Sequence, residues 1–322
     1  MIVISEKDML KCVTYGDVIE AIEESFLLYE KKEFTMPHRM HIDQGKNTLL
    51  LMPCFGKDYF GTKLVTVYPE NVGTGIHVVN GVVVLNNAHN GEPLALINGR
   101  ILTALRTGAV GAVSVKHLSP DHASKLGIIG AGVQAFYQVM SAATVRKLTD
   151  ITILSTNSQT GAAFEQKINE HLPGINTYVA KSAEELLENS QIVITATTAV
   201  HPVLPEREDL LKGKHYVGIG SFKPDVREFP KSLYSIINKV YVDTEHAVTE
   251  SGDVCYPLEQ TWITKEQIQT FGGFLMQDQD RDAVKKETTL FKSVGMAIFD
   301  LVVSQLIYEK AMEKGFGKKI AL

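Results

Sequence analysis

The chain has 322 residues, of which 44% are apolar and 21% are charged. This balance is typical of a globular protein, and the length is sufficient for two domains with separate cores. Lys and Arg number 32 against 37 Asp and Glu, a net charge of −5, which excludes a general electrostatic attraction to nucleic acid or to an anionic membrane.

The first 33 residues predict a short strand followed by helices. Ile2 to Ile4 form the strand, and Ser5 or Thr14 can cap the helices that follow. Apolar side chains recur at helical spacing and predict one buried face. They are Val18, Ile19, Ile22, Phe26, Leu27 and Tyr29. The N-terminus carries acids by residue 6 and lacks the apolar core of a secretory signal.

Residues 38–98 predict an antiparallel sheet. Residues 38–43 alternate as a strand does, and β-branched segments follow at about 49–53, 60–68, 76–86 and 93–98. Asn90-Gly91 is a strong signal for a tight hairpin.

Three cationic side chains in these segments are candidates for binding an anion. Arg39 lies in the alternating segment, where a solvated strand arginine is an equal alternative. Lys63 lies inside an apolar strand, so it faces either solvent or a pocket that would lower its pKa and suit it to proton transfer. Arg106 is embedded among small and apolar residues at 99–118 and predicts a bidentate pair with a carboxylate or a phosphate.

The stretch KLGIIGAGVQAFYQ, residues 125–138, predicts a dinucleotide-binding turn. An apolar strand leads into Gly130-Ala131-Gly132-Val133-Gln134, and a helical pattern follows. Gly130 permits the tight turn, Gly132 lets the backbone approach a pyrophosphate, and Ala135 allows close packing of helix on strand. The helix N-terminus then offers free N–H groups to the phosphates. An ordinary strand–helix turn is the alternative.

The residues after the second nucleotide-binding strand, 151–154, bear on the choice of cofactor. An acid there binds the ribose hydroxyls of NAD and repels a 2′-phosphate. This chain has Ser155, Thr156 and Asn157, which permit a 2′-phosphate, so NADP is the preferred prediction and NAD the alternative.

Further alternation of strands and helices predicts a doubly wound α/β Rossmann domain. Ligands in such sheets bind beyond the carboxyl ends of strands, which makes Thr197, Gly220 and Ser221 candidate contacts. A long final helix is predicted over 288–313, and Ser119-Pro120-Asp121 marks a domain boundary.

Cysteine and histidine spacing predicts no metal site. Cys12, Cys54 and Cys255 are scattered, and the histidines at 38, 41, 77 and 215 do not build a ligand set. The free thiols, together with the lack of a signal or a membrane-spanning run, predict a cytoplasmic protein.

The chain resembles the ornithine cyclodeaminase/μ-crystallin family over nearly its whole length. The stretches that carry the resemblance are GTKLVTVYPEN, NGEPLALINGRILTALRTGAVGA, GIIGAGVQA, GSFKPDVREF and TLFKSVGMAIFD. The resemblance implies a discontinuous α+β substrate and dimerisation domain with an antiparallel sheet, from residues 1–118 plus 290–322. The Rossmann domain then comprises residues 119–289, and a homodimer is expected.

The resemblance also implies roles for individual residues. Arg39, Lys63 and Arg106 correspond to the basic cluster that binds the substrate carboxylate, while Asn80 and Ser293 fall where family members contact the nicotinamide end. Phe222 stands where ornithine cyclodeaminases have a reactive aspartate, and the acid nearest to it is Asp225. Because phenylalanine cannot exchange protons, cyclodeamination ranks below imine reduction or amino-acid dehydrogenation.

The function predicted from the sequence is NAD(P)H-dependent reduction of a small cyclic ketimine or imino acid, such as Δ1-pyrroline-2-carboxylate, to an L-amino acid. Lys63 or Asp225 is the candidate proton donor, since arginine does not deprotonate at working pH. The alternatives are ornithine cyclodeaminase, alanine dehydrogenase and a cofactor-dependent ligand-binding protein of μ-crystallin type.

Overall fold

The structure is a computed structural model that describes residues 1–71, 73–221, 223–278 and 280–321. It divides the chain into two compact units. Unit 1 is Met1–Arg106 with Met296–Leu322, and unit 2 is Thr107–Gly295. The sequence predicts the corresponding boundaries at 118/119 and 289/290, whereas the structure has them at 106/107 and 295/296. The first boundary differs because small residues in the second half of the helix Gly99–Leu118 belong to unit 2, where a Cβ on Gly108 would lie 2.4 Å from the Tyr137 carbonyl oxygen.

The helices and strands follow in chain order. The first part of unit 1 contains β1 (Ile2–Ile4), α1 (Glu6–Cys12), α2 (Tyr15–Lys31), β2 (Met40–Gln44), β3 (Asn47–Phe55), β4 (Tyr59–Val67), β5 (Val79–Asn87), β6 (Pro93–Asn98) and the start of α3 (Gly99–Leu118). Unit 2 continues with β7 (Lys125–Ile129), α4 (Val133–Val145), β8 (Asp150–Leu154), α5 (Ser158–His171), β9 (Asn176–Val179), α6 (Ala183–Glu188), β10 (Ile192–Thr195), α7 (Glu208–Leu211), β11 (His215–Gly218), α8 (Lys231–Tyr234), β12 (Val240–Val242), α9 (Ala247–Glu250), α10 (Gly252–Glu259), β13 (Ile268–Thr270), α11 (Phe271–Met276), α12 (Arg281–Val284) and β14 (Thr289–Lys292). The chain returns to unit 1 as α13 (Ala297–Lys314) and β15 (Lys318–Lys319).

Unit 1 is a mixed sheet with helices on one face. Over the described residues its strand order is β15-β1-β6-β5-β4-β3-β2, with antiparallel pairing from β6 to β2. The predicted hairpin at Asn90-Gly91 joins β5 to β6, and Gly91 adopts a φ of 78°. Helix α13 packs on β3, β4 and β5 and on α2. The predicted antiparallel sheet is therefore confirmed.

Two capping boxes start the N-terminal helices. Ser5 Oγ accepts the Asp8 N–H, and the Ser5 N–H donates to the Asp8 carboxylate. Thr14 and Asp17 repeat the arrangement for α2. Each box satisfies helix N–H groups that have no intrahelical partner. Both predicted caps are confirmed.

Unit 2 is a doubly wound parallel sheet, as predicted. Its order over the described residues is β13-β12-β14-β11-β10-β7-β8-β9, and every pair is parallel. The chain runs outward from β7 in one direction and from β10 in the other, so the switch point lies between these two neighbours. Ligands of open parallel sheets bind at such a point.

The predicted final helix over 288–313 is wrong at its start. Thr289–Lys292 forms β14, which is buried between β11 and β12, and the helix begins at Ala297. A short apolar run does not distinguish strand from helix by periodicity. Gly295, at a φ of 82°, separates the two elements.

Among the described helices, none is long and apolar enough to cross a membrane.

Arg146 closes the end of α3 within unit 2. Its guanidinium donates to the carbonyls of Val115, Lys116 and Ser119 at 2.9–3.0 Å, and to the Pro120 carbonyl at 3.2 Å. The residue is 8% exposed. The last carbonyls of a helix have no intrahelical partner, and this one side chain satisfies several of them.

We expect Arg146→Met to lower the free energy of unfolding by about 3 kcal/mol, because several buried carbonyls lose their donor. Arg207→Met is the matched control, since Arg207 pairs with Asp209 on the surface and exposed pairs contribute little. Urea denaturation followed by circular dichroism measures both variants. Equal midpoints for the two would contradict this role of Arg146.

Candidate functional site

The predicted dinucleotide turn joins β7 to α4 at the switch point of unit 2. Gly130 has a φ of +109°, and a Cβ there would lie 2.5 Å from the Ala196 carbonyl oxygen at the end of the neighbouring strand. Both facts require glycine. Ala135 is fully buried against the strand, as the close packing of helix on strand requires.

The same turn fits a pyrophosphate on its open side. Gly132 is the N-cap of α4, and a Cβ built on it meets nothing within 4 Å. Val133 is 48% exposed, and Gln134 is half-buried. The first-turn N–H groups of α4 therefore border open space, where a helix N-terminus attracts phosphate.

Three polar residues follow β8, where the ribose of the cofactor is expected. Ser155 Oγ accepts the Asn157 N–H at 3.4 Å, and Asn157 Oδ1 caps α5 through the Thr160 N–H at 3.0 Å. Thr156 is exposed. Their contact with a cofactor stays a prediction.

The residues Thr197, Gly220 and Ser221 share a buried acid, Glu228, at the strand ends of unit 2. One carboxylate oxygen of Glu228 accepts the N–H and hydroxyl of Thr197 at 3.0 and 2.8 Å, and the other accepts the N–H groups of Gly220 and Ser221 at 2.8 and 3.3 Å. The structure therefore brings the three together, with their N–H groups directed into the protein. Their contact with a cofactor stays a prediction.

Asp253 contacts Glu228, and Lys292 contacts Asp253. Asp253 Oδ1 accepts the N–H of Glu228 at 2.7 Å, and its other oxygen lies 3.3 Å from Lys292 Nζ at the end of β14. Both side chains are fully buried. Burial raises the pKa of Asp253, while the charge of Lys292 opposes that shift.

Ser293 lies at the same edge of the sheet. Its hydroxyl donates to Asp243 Oδ2 at 2.7 Å, and the same oxygen accepts the N–H groups of Val294 and Gly295 at 3.0 and 2.7 Å. Asp243 thus fixes the segment that follows β14. The predicted contact of Ser293 with the nicotinamide stays a prediction.

Asp225 and Asn80 are exposed and half-buried, respectively. Asp225 is exposed in a turn with Pro224 in unit 2, and Phe222 lies outside the described residues. Asn80 pairs across strands with Thr66 and donates to the His77 carbonyl at 2.6 Å. Because side chains alternate along β4, Thr66 and Asn80 face the side opposite to Lys63.

Lys63 lies on the helix-covered face of the unit 1 sheet. On β4 it is 2% exposed, whereas the next residue, Leu64, is 38% exposed. Its Nζ lies 2.8 Å from Asp300 Oδ2, which α13 provides. The solvent-facing alternative is therefore wrong, and Lys63 is buried beside a carboxylate.

Arg106 and Arg39 complete the cationic group. Arg106 Nε donates to Asp300 Oδ1 at 3.1 Å, and Arg106 is 6% exposed. Arg39 is half-buried, and its charge acts on Lys63. The contact between Arg106 and Asp300 uses Nε, so the two terminal nitrogens of the guanidinium lie outside that contact. The residues 39, 63, 106 and 300 are called the basic cluster below.

The electrostatics of the basic cluster suit proton exchange. Burial lowers the pKa of Lys63 from 10.5 to about 8, Asp300 opposes that shift, and the charges of Arg106 and Arg39 add to it. An amine with a pKa near working pH is an efficient proton donor and acceptor. The cluster carries three cations against one carboxylate, so it also favours a bound anion.

Sequence reasoning missed the acids Asp300 and Glu228. Both lie inside the stretches TLFKSVGMAIFD and GSFKPDVREF, yet nothing local distinguishes them from surface acids. A carboxylate in the first turn of a helix, as Asp300 is, commonly serves the helix dipole alone. Over the described residues, no group of three or more His, Cys, Asp or Glu side chains is placed to hold a metal ion.

Known proteins resemble this chain over most or nearly all of its length. A Δ(1)-pyrroline-2-carboxylate reductase of Bacillus cereus (strain ZK / E33L) is 35% identical over 326 residues, which covers 99% of each chain. The ketimine reductase μ-crystallin of Mus musculus is 31% identical over 271 residues, 83% of this chain and 82% of that protein.

A solved structure agrees with this resemblance. The Δ(1)-pyrroline-2-carboxylate reductase of Thermococcus litoralis, in complex with NADH and L-proline, superposes with a TM-score of 0.91 at 33% identity, and covers 99% of this chain and 100% of its own. The model of the ornithine cyclodeaminase/μ-crystallin family matches residues 2–315. The chain therefore belongs to the ornithine cyclodeaminase/μ-crystallin family.

Proposed function

We propose that the protein is a nicotinamide-dependent reductase that converts a small cyclic imino acid, Δ1-pyrroline-2-carboxylate, to L-proline. The observation that carries the proposal is the buried basic cluster, in which Lys63 and Arg106 share Asp300 at 2.8 and 3.1 Å. The dinucleotide turn of unit 2 and the reductases among the relatives support the same reaction.

The substrate carboxylate binds to Arg106 and Arg39 in this proposal. A guanidinium offers parallel N–H donors that match a carboxylate, and the terminal nitrogens of Arg106 lie outside its contact with Asp300. Fixing the carboxylate orients the imine, and orientation alone contributes several kcal/mol to lowering a barrier.

Lys63 supplies the proton that the imine nitrogen needs. Of the three cations it is the one that can release a proton at working pH, since arginine stays charged. The nicotinamide supplies a hydride when it is bound. The imine carbon accepts that hydride, and Nζ of Lys63 passes a proton to the nitrogen, which leaves an amine and a neutral lysine. Asp225, in its exposed turn, is the less favoured donor.

Alanine dehydrogenase is the second candidate. The relative of that name from Archaeoglobus fulgidus is 27% identical over 99% of this chain, and its reaction also needs a carboxylate site and a proton carrier. Ornithine cyclodeamination ranks lower because Phe222 cannot exchange protons. Ligand binding without turnover, as in the μ-crystallin-type hypothesis, is the third alternative.

The proposal includes a homodimer whose interface is one face of the unit 1 sheet. A row of apolar side chains crosses four strands through the paired residues Met40, Leu51, Leu64 and Val82. Met40 and Leu64 are 55% and 38% exposed. Large exposed apolar faces mark interaction sites, and a dimer is the state named for an archaeal alanine dehydrogenase structure with bound NAD, at a TM-score of 0.89 and 26% identity.

A cytoplasmic location is proposed from the three thiols. Cys12, Cys54 and Cys255 are free and buried, which suits a reducing compartment.

One assay tests the reaction itself. Purified protein is mixed with NADH or NADPH and Δ1-pyrroline-2-carboxylate, and the absorbance of the reduced nicotinamide is followed. Consumption with formation of proline is the expected result. Consumption with pyruvate and ammonia alone would favour alanine dehydrogenase, and ammonia release from ornithine with no net change in cofactor would favour cyclodeamination. Saturable ligand binding with no turnover would favour the binding protein.

We expect Lys63→Met to lower kcat at least ~10²-fold, because the proton donor is lost. Cofactor affinity, measured by fluorescence of the reduced nicotinamide, should stay within about twofold, because the proposed role of Lys63 is proton transfer to the substrate. Lys46→Met is the control, since Lys46 pairs with Glu70 on the surface of the same unit. Full turnover by Lys63→Met would remove Lys63 from the mechanism.

We expect the wild-type protein to use NADPH in preference to NADH, and Ser155→Asp to reverse that preference. An aspartate at the end of β8 repels a 2′-phosphate and binds the ribose hydroxyls of NADH, and its side chain can still accept the Asn157 N–H. Ser155→Asn keeps the acceptor without the charge and is the matched control. The ratio of kcat/KM for the two cofactors is measured. A ratio unchanged in Ser155→Asp would place the ribose elsewhere.

We expect Leu64→Glu to convert a dimer to a monomer in sedimentation velocity, because a charge in the centre of the apolar row must lose its water on association. Leu10→Glu, on α1, is the control, since Leu10 is 47% exposed outside that row. A dimer that survives Leu64→Glu would place the interface on another face.

A further inference from the structure

Asp300 is the centre of the basic cluster, although it sits on a different element from each cation. It lies in the first turn of α13 and is 2% exposed, while Lys63 comes from β4 and Arg106 from α3. Its two oxygens are divided between the two cations, Oδ2 to Lys63 Nζ at 2.8 Å and Oδ1 to Arg106 Nε at 3.1 Å. One carboxylate therefore fixes the relative position of both.

The surroundings of Lys63 make that carboxylate necessary. A fully buried ammonium without a counter-charge loses its proton, because burial disfavours the charged form. Among the described charges that act on Lys63, Arg106 and Arg39 are positive and Asp300 is negative. Cys54, near Asp300 on β3, stays neutral because burial raises the pKa of its thiol to about 12.

The helix supports the negative charge of Asp300. The N-terminal turn of an α-helix carries a partial positive charge, and α13 is 18 residues long. Arg106 keeps its own proton at any working pH, so Asp300 retains one permanent cationic partner when Lys63 becomes neutral. Asp300 therefore has a cationic partner in both protonation states of the lysine.

We propose that Asp300 is a positioning residue that keeps Lys63 charged and aligned between turnovers, so that Lys63 serves as proton donor in reduction and as acceptor in the reverse direction. The proposal rests on the proposed function. In reduction an N–H bond forms at the imine nitrogen and an N–H bond of the ammonium breaks, the added hydride coming from reduced nicotinamide. Lys63 then regains a proton from solvent, and Asp300 holds it.

Loss of the Asp300 charge is expected to shift the pH dependence of both reaction directions the same way. Imine reduction needs charged Lys63, so its rate falls as pH rises through the pKa of Lys63. Oxidation of L-proline needs neutral Lys63, so its rate rises through the same value. Asp300→Asn removes the charge that favours the ammonium, so both midpoints move to lower pH. A residue that only maintains the fold lowers rates without moving both midpoints in one direction.

The test compares pH profiles of kcat/KM in both directions for the wild type, Asp300→Asn and Asp17→Asn. Asp17 is the matched control because it pairs with Lys310 of the same helix α13 at 3.0 Å. We expect Asp300→Asn to lower both midpoints by about one pH unit or more, and Asp17→Asn to leave them in place. Unchanged midpoints in Asp300→Asn would overturn the proposal.

A second measurement does not need turnover. The protein is labelled with 13Cε-lysine, and the Lys63 signal is assigned by its absence in Lys63→Met. Its titration is followed in the wild type, in Asp300→Asn and Asp300→Ser, which lack the charge, and in Asp300→Glu, which keeps it. A Lys63 midpoint that is lower in the uncharged variants than in the wild type, and close to the wild type in Asp300→Glu, supports the role of Asp300. A Lys63 midpoint that is the same in the uncharged variants and in the wild type would overturn it. If the wild type does not reduce pyrroline-2-carboxylate, the proposed function fails, while the titration still decides the role of Asp300.

Discussion

The candidate substrate site depends on one buried carboxylate shared by two buried cations. Taking ions out of water costs several kcal/mol each, and the attraction between them offsets that cost when the geometry is close. At 2.8 and 3.1 Å, Asp300 meets this condition for Lys63 and Arg106. Replacing such a group by apolar side chains is often neutral or stabilising. Its retention in the core of unit 1 is therefore best explained by chemistry rather than by stability.

Buried carboxylates also contact several partners at the ends of the parallel strands of unit 2. Glu228 accepts donors from the loops after β10 and β11, and Asp253 connects Glu228 to Lys292 at the end of β14. Parallel strands end in backbone groups without ladder partners, and buried groups of that kind need hydrogen bonds. A buried acid supplies acceptors to several at once. The edge that a cofactor is expected to meet is therefore hydrogen-bonded through these buried acids.

Local features of this fold follow from the sequence, because their causes lie within a few residues. The boxes at Ser5 and Thr14, the hairpin at Asn90-Gly91 and the turn at Gly130 are each recognised from a few consecutive residues. The sequence predicts a helix where Thr289–Lys292 forms a strand, because a segment of four residues is too short to show a decisive period. What makes it a strand is its burial between β11 and β12, which is a tertiary fact.

Some residues of the candidate site can likewise be identified from the sequence, whereas others can be identified only from the fold. Lys63 and Arg106 are conspicuous because a charge inside an apolar run contradicts its local surroundings. Asp300 contradicts nothing, since an acid in the first turn of a helix is ordinary. The role of Asp300 is recognised only in the folded protein, where α13 packs on β4 and brings the carboxylate to Lys63. Lys63 lies 237 positions earlier in the chain, and no local pattern relates residues so far apart. The burial of Lys63 therefore requires a counter-charge elsewhere in the chain, and only the fold identifies Asp300 as that group.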